Sequence, residues 1–286
     1  MSSPYVRRLR LGREIRALRA ERDWTQARMA RLAGVTRNNV SRLENGQCAD
    51  LAETLNILEA LGLEGEQWTR LTAIAQSAVA PGWWDSVRHI GERQALTANL
   101  ESGAATIRQY QQTYLPGLLQ LPEYIRSIHH AAGVLEPTGP VEGFLAGRLG
   151  RQRHLRHPGG PKYEVILDEI AVLRRVAPDH AVKAQLQHLA QVAQGGQPNV
   201  TLRVLRTDAQ VRDFAVPRTA YTIYTYPDPD DPTVVVIDNA TDDVILSEEA
   251  KVAPYEGLYE RIREAALNPR DSADLLAKAA DMLPVG

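Results

Sequence analysis

Between residues 7 and 21 the large apolar side chains fall at Leu11, Ile15 and Leu18. That is the i, i+4, i+7 rhythm of one helical face, and it leaves Arg7, Arg8, Arg10, Arg13, Arg16 and Arg19 largely for solvent. Thr25 is placed to cap a helix that starts at Gln26 and buries Met29, Ala30 and Ala33. Gly34 supplies the turn, and Thr36 caps a second helix with Val40 and Leu43 inside. Asp50 followed by Glu53 forms a capping box ahead of Leu51, Leu55 and Leu58. A further helix is expected over residues 65–78 on Trp68, Leu71 and Ile74, and Pro81-Gly82 ends the run. The pattern predicts an all-α N-terminal domain over residues 1–80.

The rest changes character twice. Residues 94–112 read as a helix burying Leu96, Leu100 and Ile107. In QTYLPGLLQLPEYIRSI, two prolines and a glycine among large apolar residues predict a turn against a core, then a helix over 122–132. Residues 133–140 read as a loop, and 141–157 as a basic helix with Arg148, Arg151, Arg153 and Arg156. KYEVILDE reads as a strand, and residues 181–193 as a helix with Leu186 and Leu189 inside. VTLRVLR, AYTIYTY and TVVVID carry the β-branched and aromatic residues of strands, with residues 228–232 as a hairpin loop and 243–246 as a short strand. Two helices close the chain, over 255–266 and, capped by Ser272, 272–283. The expectation for residues 81–286 is an α+β domain with a mainly antiparallel sheet flanked by helices.

The composition is that of a soluble globular chain, 44% hydrophobic and 24% charged. No apolar run approaches the ~20 residues that span a membrane, so no membrane partner is expected. The opening MSSPYVRRLRLG lacks the apolar core of a secretory signal, and the single cysteine, Cys48, permits no intramolecular disulfide. Both point to a cytoplasmic location. Cys48 reads as incidental or as a redox switch. The net charge is −2, but residues 1–47 hold eleven arginines, no lysine and four acidic residues, a charge of +7, against −9 elsewhere. A basic head on an acidic body is the footprint of a nucleic-acid-binding domain joined to one that is not.

The outward face of the second short helix carries Arg37, Asn38, Ser41 and Arg42. Arg matches the two acceptors of guanine and Asn the donor and acceptor of adenine, so the face suits base edges of duplex DNA. An ordinary helical pair with a polar surface is the alternative. The joint order of cap, small residues, turn glycine, second cap and base-reading face opposes it. Thr25-Gln26, Ala30 to Val35 and Ser41 to Gly46 resemble the Xre (lambda-repressor-like) helix-turn-helix family over roughly residues 7–68. The resemblance implies a lambda-repressor-like fold, with residues 37–44 in the major groove. It puts Gln26 and Asn45 near phosphates and implies a homodimer on an inverted repeat. The expected DNA-binding set is Thr25, Gln26, Thr36, Arg37, Asn38, Asn39, Ser41, Arg42 and Asn45.

From Leu96 onward LESGAATIRQYQQTYLPGLLQLPEYIRS, RLGRQRHL, YEVILDEIAVLRR, QLQHL and VTLRVL resemble the effector region of a large actinobacterial group of Xre-type regulators. That resemblance implies control by a small-molecule effector or by a small companion protein, as in an antitoxin-like pair. Tyr114, Leu115, Leu118, Leu119 and Tyr124 concentrate apolar surface around the PGLLQ turn. They read either as core packing or as an effector or partner surface. A metal site is not expected: His129 and His130 are adjacent, His154 and His157 lie in a basic helix, and Asp228, Asp230 and Asp231 read as a simple turn rather than a calcium loop. Asp168 and Glu169, at a strand end, read as structural rather than catalytic. No phosphate-binding glycine loop or nucleophile elbow is present, so neither a cofactor nor enzyme activity is expected.

Overall fold

The computed structural model describes residues 3–47, 50–132, 139–239 and 242–284. Residues 133–138 of the loop expected over 133–140, and Cys48, lie outside them. Five helices open the chain: α1 (Pro4–Glu21), α2 (Gln26–Ala33), α3 (Arg37–Glu44), α4 (Leu51–Ala60) and α5 (Gly65–Ala78). Leu11, Ile15, Met29, Val40, Leu43, Ile57, Leu58, Leu71 and Ile74 meet in one core. All but Ile57 are positions the periodicity marked; Leu51 and Leu55, expected inside, are only partly buried against this core. Thr25, Thr36 and Asp50 cap their helices as expected, accepting from Arg28 N, from Asn39 N and from Ala52 N and Glu53 N, but Glu53 does not complete the expected capping box, because its carboxylate accepts from the Asn39 side chain.

The C-terminal region follows as α6 (Glu92–Glu101), β1 (Thr106–Gln111), α7 (Pro122–Ala132), α8 (Val141–Arg156), β2 (Lys162–Asp168), α9 (Glu169–Leu173), α10 (Asp179–Gln191), β3 (Val200–Leu205), β4 (Tyr221–Thr225), β5 (Val234–Ile237), β6 (Val244–Leu246), α11 (Glu249–Ala265) and α12 (Pro269–Asp281). One six-stranded sheet has the order β3-β2-β1-β4-β5-β6. It is mixed: β1 pairs in parallel with β2, and β2 with β3, while β1–β4, β4–β5 and β5–β6 are antiparallel. Tyr110 stands opposite Ile166 on one side and Tyr221 on the other, which makes β1 the central strand. One face packs Ile107, Tyr163, Val165, Leu202, Tyr224 and Val234 into the larger core, shared with α10 and α12. The other packs Tyr110, Ile166, Tyr221 and Ile223 against Val252, Tyr259 and Ile262 of α11.

Three expectations need correction. The helix over 94–112 stops at Glu101, and its second half is β1. Strand partners on both sides override a pattern in which Leu96, Leu100 and Ile107 happen to share a helical period. The final helix is capped by Asn268, not Ser272. Ser272 is buried, and its hydroxyl accepts from Val204 N at 2.9 Å and donates to Asn268 O at 2.8 Å, tying α12 to β3. Helix α11 starts at Glu249 and runs through Pro254, forgoing one backbone bond there.

The α1 arginines are the largest departure. Arg10 is 3% exposed. Its guanidinium donates to Asp228 at 2.6 Å, Asp230 at 2.8 Å, Asp231 at 3.3 Å and Glu14 at 3.0 Å. Arg7 pairs with Asp228 and Asp231, and Arg13 donates to the Asp230 carbonyl at 2.7 Å. The acidic residues of the β4–β5 hairpin are thus a socket for α1. The same helix puts Val6 into the sheet's larger core, and Ser3 donates to Asn99 of α6 at 2.7 Å. Burial opposes the charge of Arg10, but the carboxylates around it outweigh that cost and raise its pKa. Arg10→Met would leave the buried Asp231 carboxylate with Arg7 as its remaining partner and strip the Asp228 and Asp230 carboxylates of their shortest bonds, and we expect a loss of about 3–5 kcal/mol of stability in chemical denaturation.

Candidate nucleic-acid interface

Helix α2 ends in Gly34, whose φ of 66° closes the turn in the left-handed region. Helix α3 then lies with Val40 and Leu43 in the core and its opposite side open. Arg37 and Asn38 are exposed, and among the described residues neither has a hydrogen-bond partner. Ser41 is half-buried beside them, and the exposed Arg42 donates from Nε to Gln47 at 3.3 Å. Thr25 and Thr36 are exposed at the two helix starts, with their hydroxyls used as caps.

The other expected contact residues are engaged within the chain. Gln26 donates to Glu44 at 2.8 Å, and Asn39 donates to both oxygens of Glu53 at 2.7 and 2.8 Å. The Asn45 side-chain oxygen accepts from Arg16 at 2.7 Å. These bonds hold the frame; Arg37 and Asn38 are the polar ends left over.

Two residues that set this frame had no role in the sequence reading. Glu44, the last residue of α3, is buried and binds three elements at once. It accepts from Arg19 of α1 at 2.5 and 3.0 Å and from Gln26 of α2, while its own carbonyl accepts from Arg16 at 2.9 Å. Burial works against the Glu44 charge, but Arg19 and Gln26 more than offset it and hold the carboxyl below its usual range. Gly12 is the point where α1 and α3 touch. A Cβ there would stand 2.4 Å from the Leu43 carbonyl oxygen. The signal for Glu44 was present in the Ser41 to Gly46 segment that carries the family resemblance; nothing local marked Gly12.

The apolar surface expected around PGLLQ is core. Leu115, Leu118, Leu119 and Tyr124 are all under 4% exposed and belong to the larger core, and only Tyr114 is exposed, at 43%. Glutamines sew this turn to its neighbours. Gln152 of α8 donates to the Gly117 and Gln120 carbonyls, Gln185 of α10 donates to Leu119 O and accepts from Leu121 N, and Gln120 donates to Leu115 O. Asp168 caps α9 and accepts from Tyr110 at 2.8 Å, and Glu169 accepts from Thr207. Both carboxylates are occupied by structural bonds.

A family model described as a domain of unknown function, DUF5753, matches residues 94–278, well over half of the chain. The chain belongs to the DUF5753 family. A second model, described as a helix-turn-helix domain, matches residues 10–71, from the middle of α1 into α5. Comparison with curated proteins and with solved structures gave no match. The helix-turn-helix domain makes this DUF5753 protein a DNA-binding regulator of transcription. No helix among the described residues is long and apolar enough to cross a membrane.

Two outcomes test the frame. Ala in place of Gly12 gains about 1 kcal/mol of helix propensity but forces a methyl onto a backbone oxygen that cannot swing away. We expect Gly12→Ala to destabilise the helical head by about 1–2 kcal/mol in denaturant titration. Glu44 has a depressed folded pKa, so its stabilisation is present above pH 4.5 and is lost as pH falls through the folded value. Glu44→Gln should cost about 2–3 kcal/mol at neutral pH, with a weaker dependence of Tm on pH between 5 and about 3 than the wild-type protein shows.

Proposed function

We propose that this protein is a sequence-specific, cytoplasmic, non-enzymatic regulator of the Xre type. It places α3 in the major groove of an inverted-repeat operator as a homodimer and is controlled by a small ligand taken up in its DUF5753 region. The observation that carries the DNA reading is the pair Arg37 and Asn38, exposed and unpartnered on a helix whose neighbours are already bonded. They read base edges, with Ser41 and Arg42 next. Thr25, Gln26, Thr36, Asn39 and Asn45 position the head on the phosphates.

Control reaches the reading helix through α1. This helix touches α3 at Gly12 and Glu44 and is gripped by the β4–β5 hairpin at Arg10. A ligand that favours one setting of the hairpin shifts the head only as far as it binds that setting better.

A second reading, docking of a small companion protein, is favoured by the exposed apolar residues at the carboxyl ends of β2 and β3. Ile170 and Leu173 lie on α9, and Phe214 and Val216 on the β3–β4 connection. Phe214 is 92% exposed and held at φ 53°, a conformation disfavoured for a bulky side chain.

Arg37→Ala should weaken operator binding by about 1–3 kcal/mol and relax selection at one base pair per half-site. Fluorescence anisotropy on a selected operator reads the first and binding-site selection the second. Equal affinity of variant and wild type would remove Arg37 from the reading face.

A further inference from the structure

Helix α11 covers only part of its face of the sheet, packing on Tyr110, Ile166, Tyr221 and Ile223. Over the amino-terminal halves of β1, β2 and β3 it leaves an open trough of about 970 Å³. That volume lies in the range of small-molecule sites, roughly 300–1,000 Å³. Ile107, Tyr163, Val200 and Leu202 enter the larger core on the far side, so the alternate residues Thr106, Arg108, Lys162, Glu164, Thr201 and Arg203 line the trough. Arg156, the last residue of α8, joins them at the rim. The lining thus holds four cations and one carboxylate, in a chain whose residues beyond 47 sum to −9. Two of the cations are engaged: Arg203 donates to Glu164 at 3.3 Å, and Arg108 to Glu256 at 3.0 Å and Glu260 at 3.2 Å. Arg156 and Lys162 are not. Both are exposed, and among the described residues neither side chain has a hydrogen bond or an ion pair. The segment between them is pinned. The Asn199 side chain donates to Leu155 O at 2.6 Å and Pro161 O at 3.0 Å, Gly160 N donates to His157 O at 2.8 Å, and Lys162 N to Ala105 O at 3.0 Å. These bonds fix the backbone from which the two cations extend. With His157 N on His154 O, they also occupy two of the carbonyls at the end of α8 that would repel an anion.

We propose that this trough binds a small phosphate monoester with a hydroxylated body. The phosphate sits at the rim between Arg156 and Lys162. The body lies on the floor, where the Thr201 hydroxyl and one Glu164 carboxylate oxygen have no partner among the described residues. Two unpaired cations suit a dianion, and a carboxylate behind them accepts from a hydroxyl while repelling a second phosphate. That carboxylate, with Glu256 and Glu260 beyond Arg108, also opposes a nucleic-acid strand running through the trough, which favours a small ligand over a DNA backbone contact. The trough lies at the end of the sheet that grips α1. Thr106 in its floor shares a 2.6 Å hydrogen bond with Thr225, the last residue of β4 before the hairpin that holds Arg10. The site deepens the ligand-control reading: its regulatory role rests on that reading, but its existence rests on the trough alone.

The test uses the full-length protein with ribose 5-phosphate, ribose, inorganic phosphate and a duplex of unrelated sequence as probes, read by calorimetry and thermal shift. We expect ribose 5-phosphate to raise Tm by a few degrees and to bind about tenfold more tightly than inorganic phosphate, the worth of a hydrogen bond to the Glu164 charge, with ribose alone silent. The double variant Arg156→Gln/Lys162→Gln should lose the response to both phosphates, while its Tm without ligand matches that of the wild type, because neither side chain bonds within the described chain. Glu164→Ala should keep phosphate binding and lose the tenfold preference. Equal responses of wild type and double variant would overturn the site, and so would a response to ribose alone or none to ribose 5-phosphate. Tighter binding of the duplex that disappears in the double variant would reassign the trough to nucleic acid and overturn the proposal as well. Operator affinity measured with and without ribose 5-phosphate separates the site from its role. Binding that leaves DNA affinity unchanged supports the site and overturns ligand control through it.

Discussion

The burial of Arg10 in the acidic hairpin is the contact on which the arrangement of the two halves depends. A guanidinium taken out of water costs several kcal/mol, and a single carboxylate rarely repays it. Here Glu14 comes from the same helix and Asp228, Asp230 and Asp231 from one hairpin, with Arg7 and Arg13 sharing the load. Charge is close to balanced, and the direction of α1 is fixed by which carboxylates it meets. Val6 and Ser3 extend the grip into the larger core and onto α6. The helix that opens the DNA-binding head is therefore also a strut of the sheet domain.

Inside the head, the same economy of polar groups separates supporting side chains from displayed ones. Glu44 gathers α1, α2 and α3 at one carboxylate, and Gly12 lets α1 and α3 approach at backbone distance. Because Gln26, Asn39 and Asn45 spend their side chains on intrachain bonds, Arg37 and Asn38 are displayed on a support that does not need them. Substitutions at Arg37 and Asn38 should leave the fold nearly unchanged.

The head was legible almost residue by residue, since Thr25, Thr36, Asp50 and Gly34 act through neighbours two to four positions away. The sheet's outer strands were legible for a similar reason: VTLRVL and TVVVI carry their propensity locally. What failed was decided at a distance. β1 is a strand because β2 and β4 flank it, and its own alternation is diluted by Arg108, Gln109 and Gln111. Two parallel pairs escaped a reading built on hairpins. The arginines of α1 look solvent-bound until Asp228, Asp230 and Asp231 are folded against them. The PGLLQ segment was singled out as core packing or as an effector or partner surface, and its leucines fill the core.

The grip on α1 also orders events in time. Arg10 leaves the ribosome well ahead of its aspartates, which follow 218 to 221 residues later. The five-helix head has a core of its own and can collapse early, but its first helix keeps an unmatched cation until the hairpin emerges. A nascent or truncated chain thus presents the helix-turn-helix head before the element that steadies its first helix exists. The grip on α1 can close only after the hairpin has emerged.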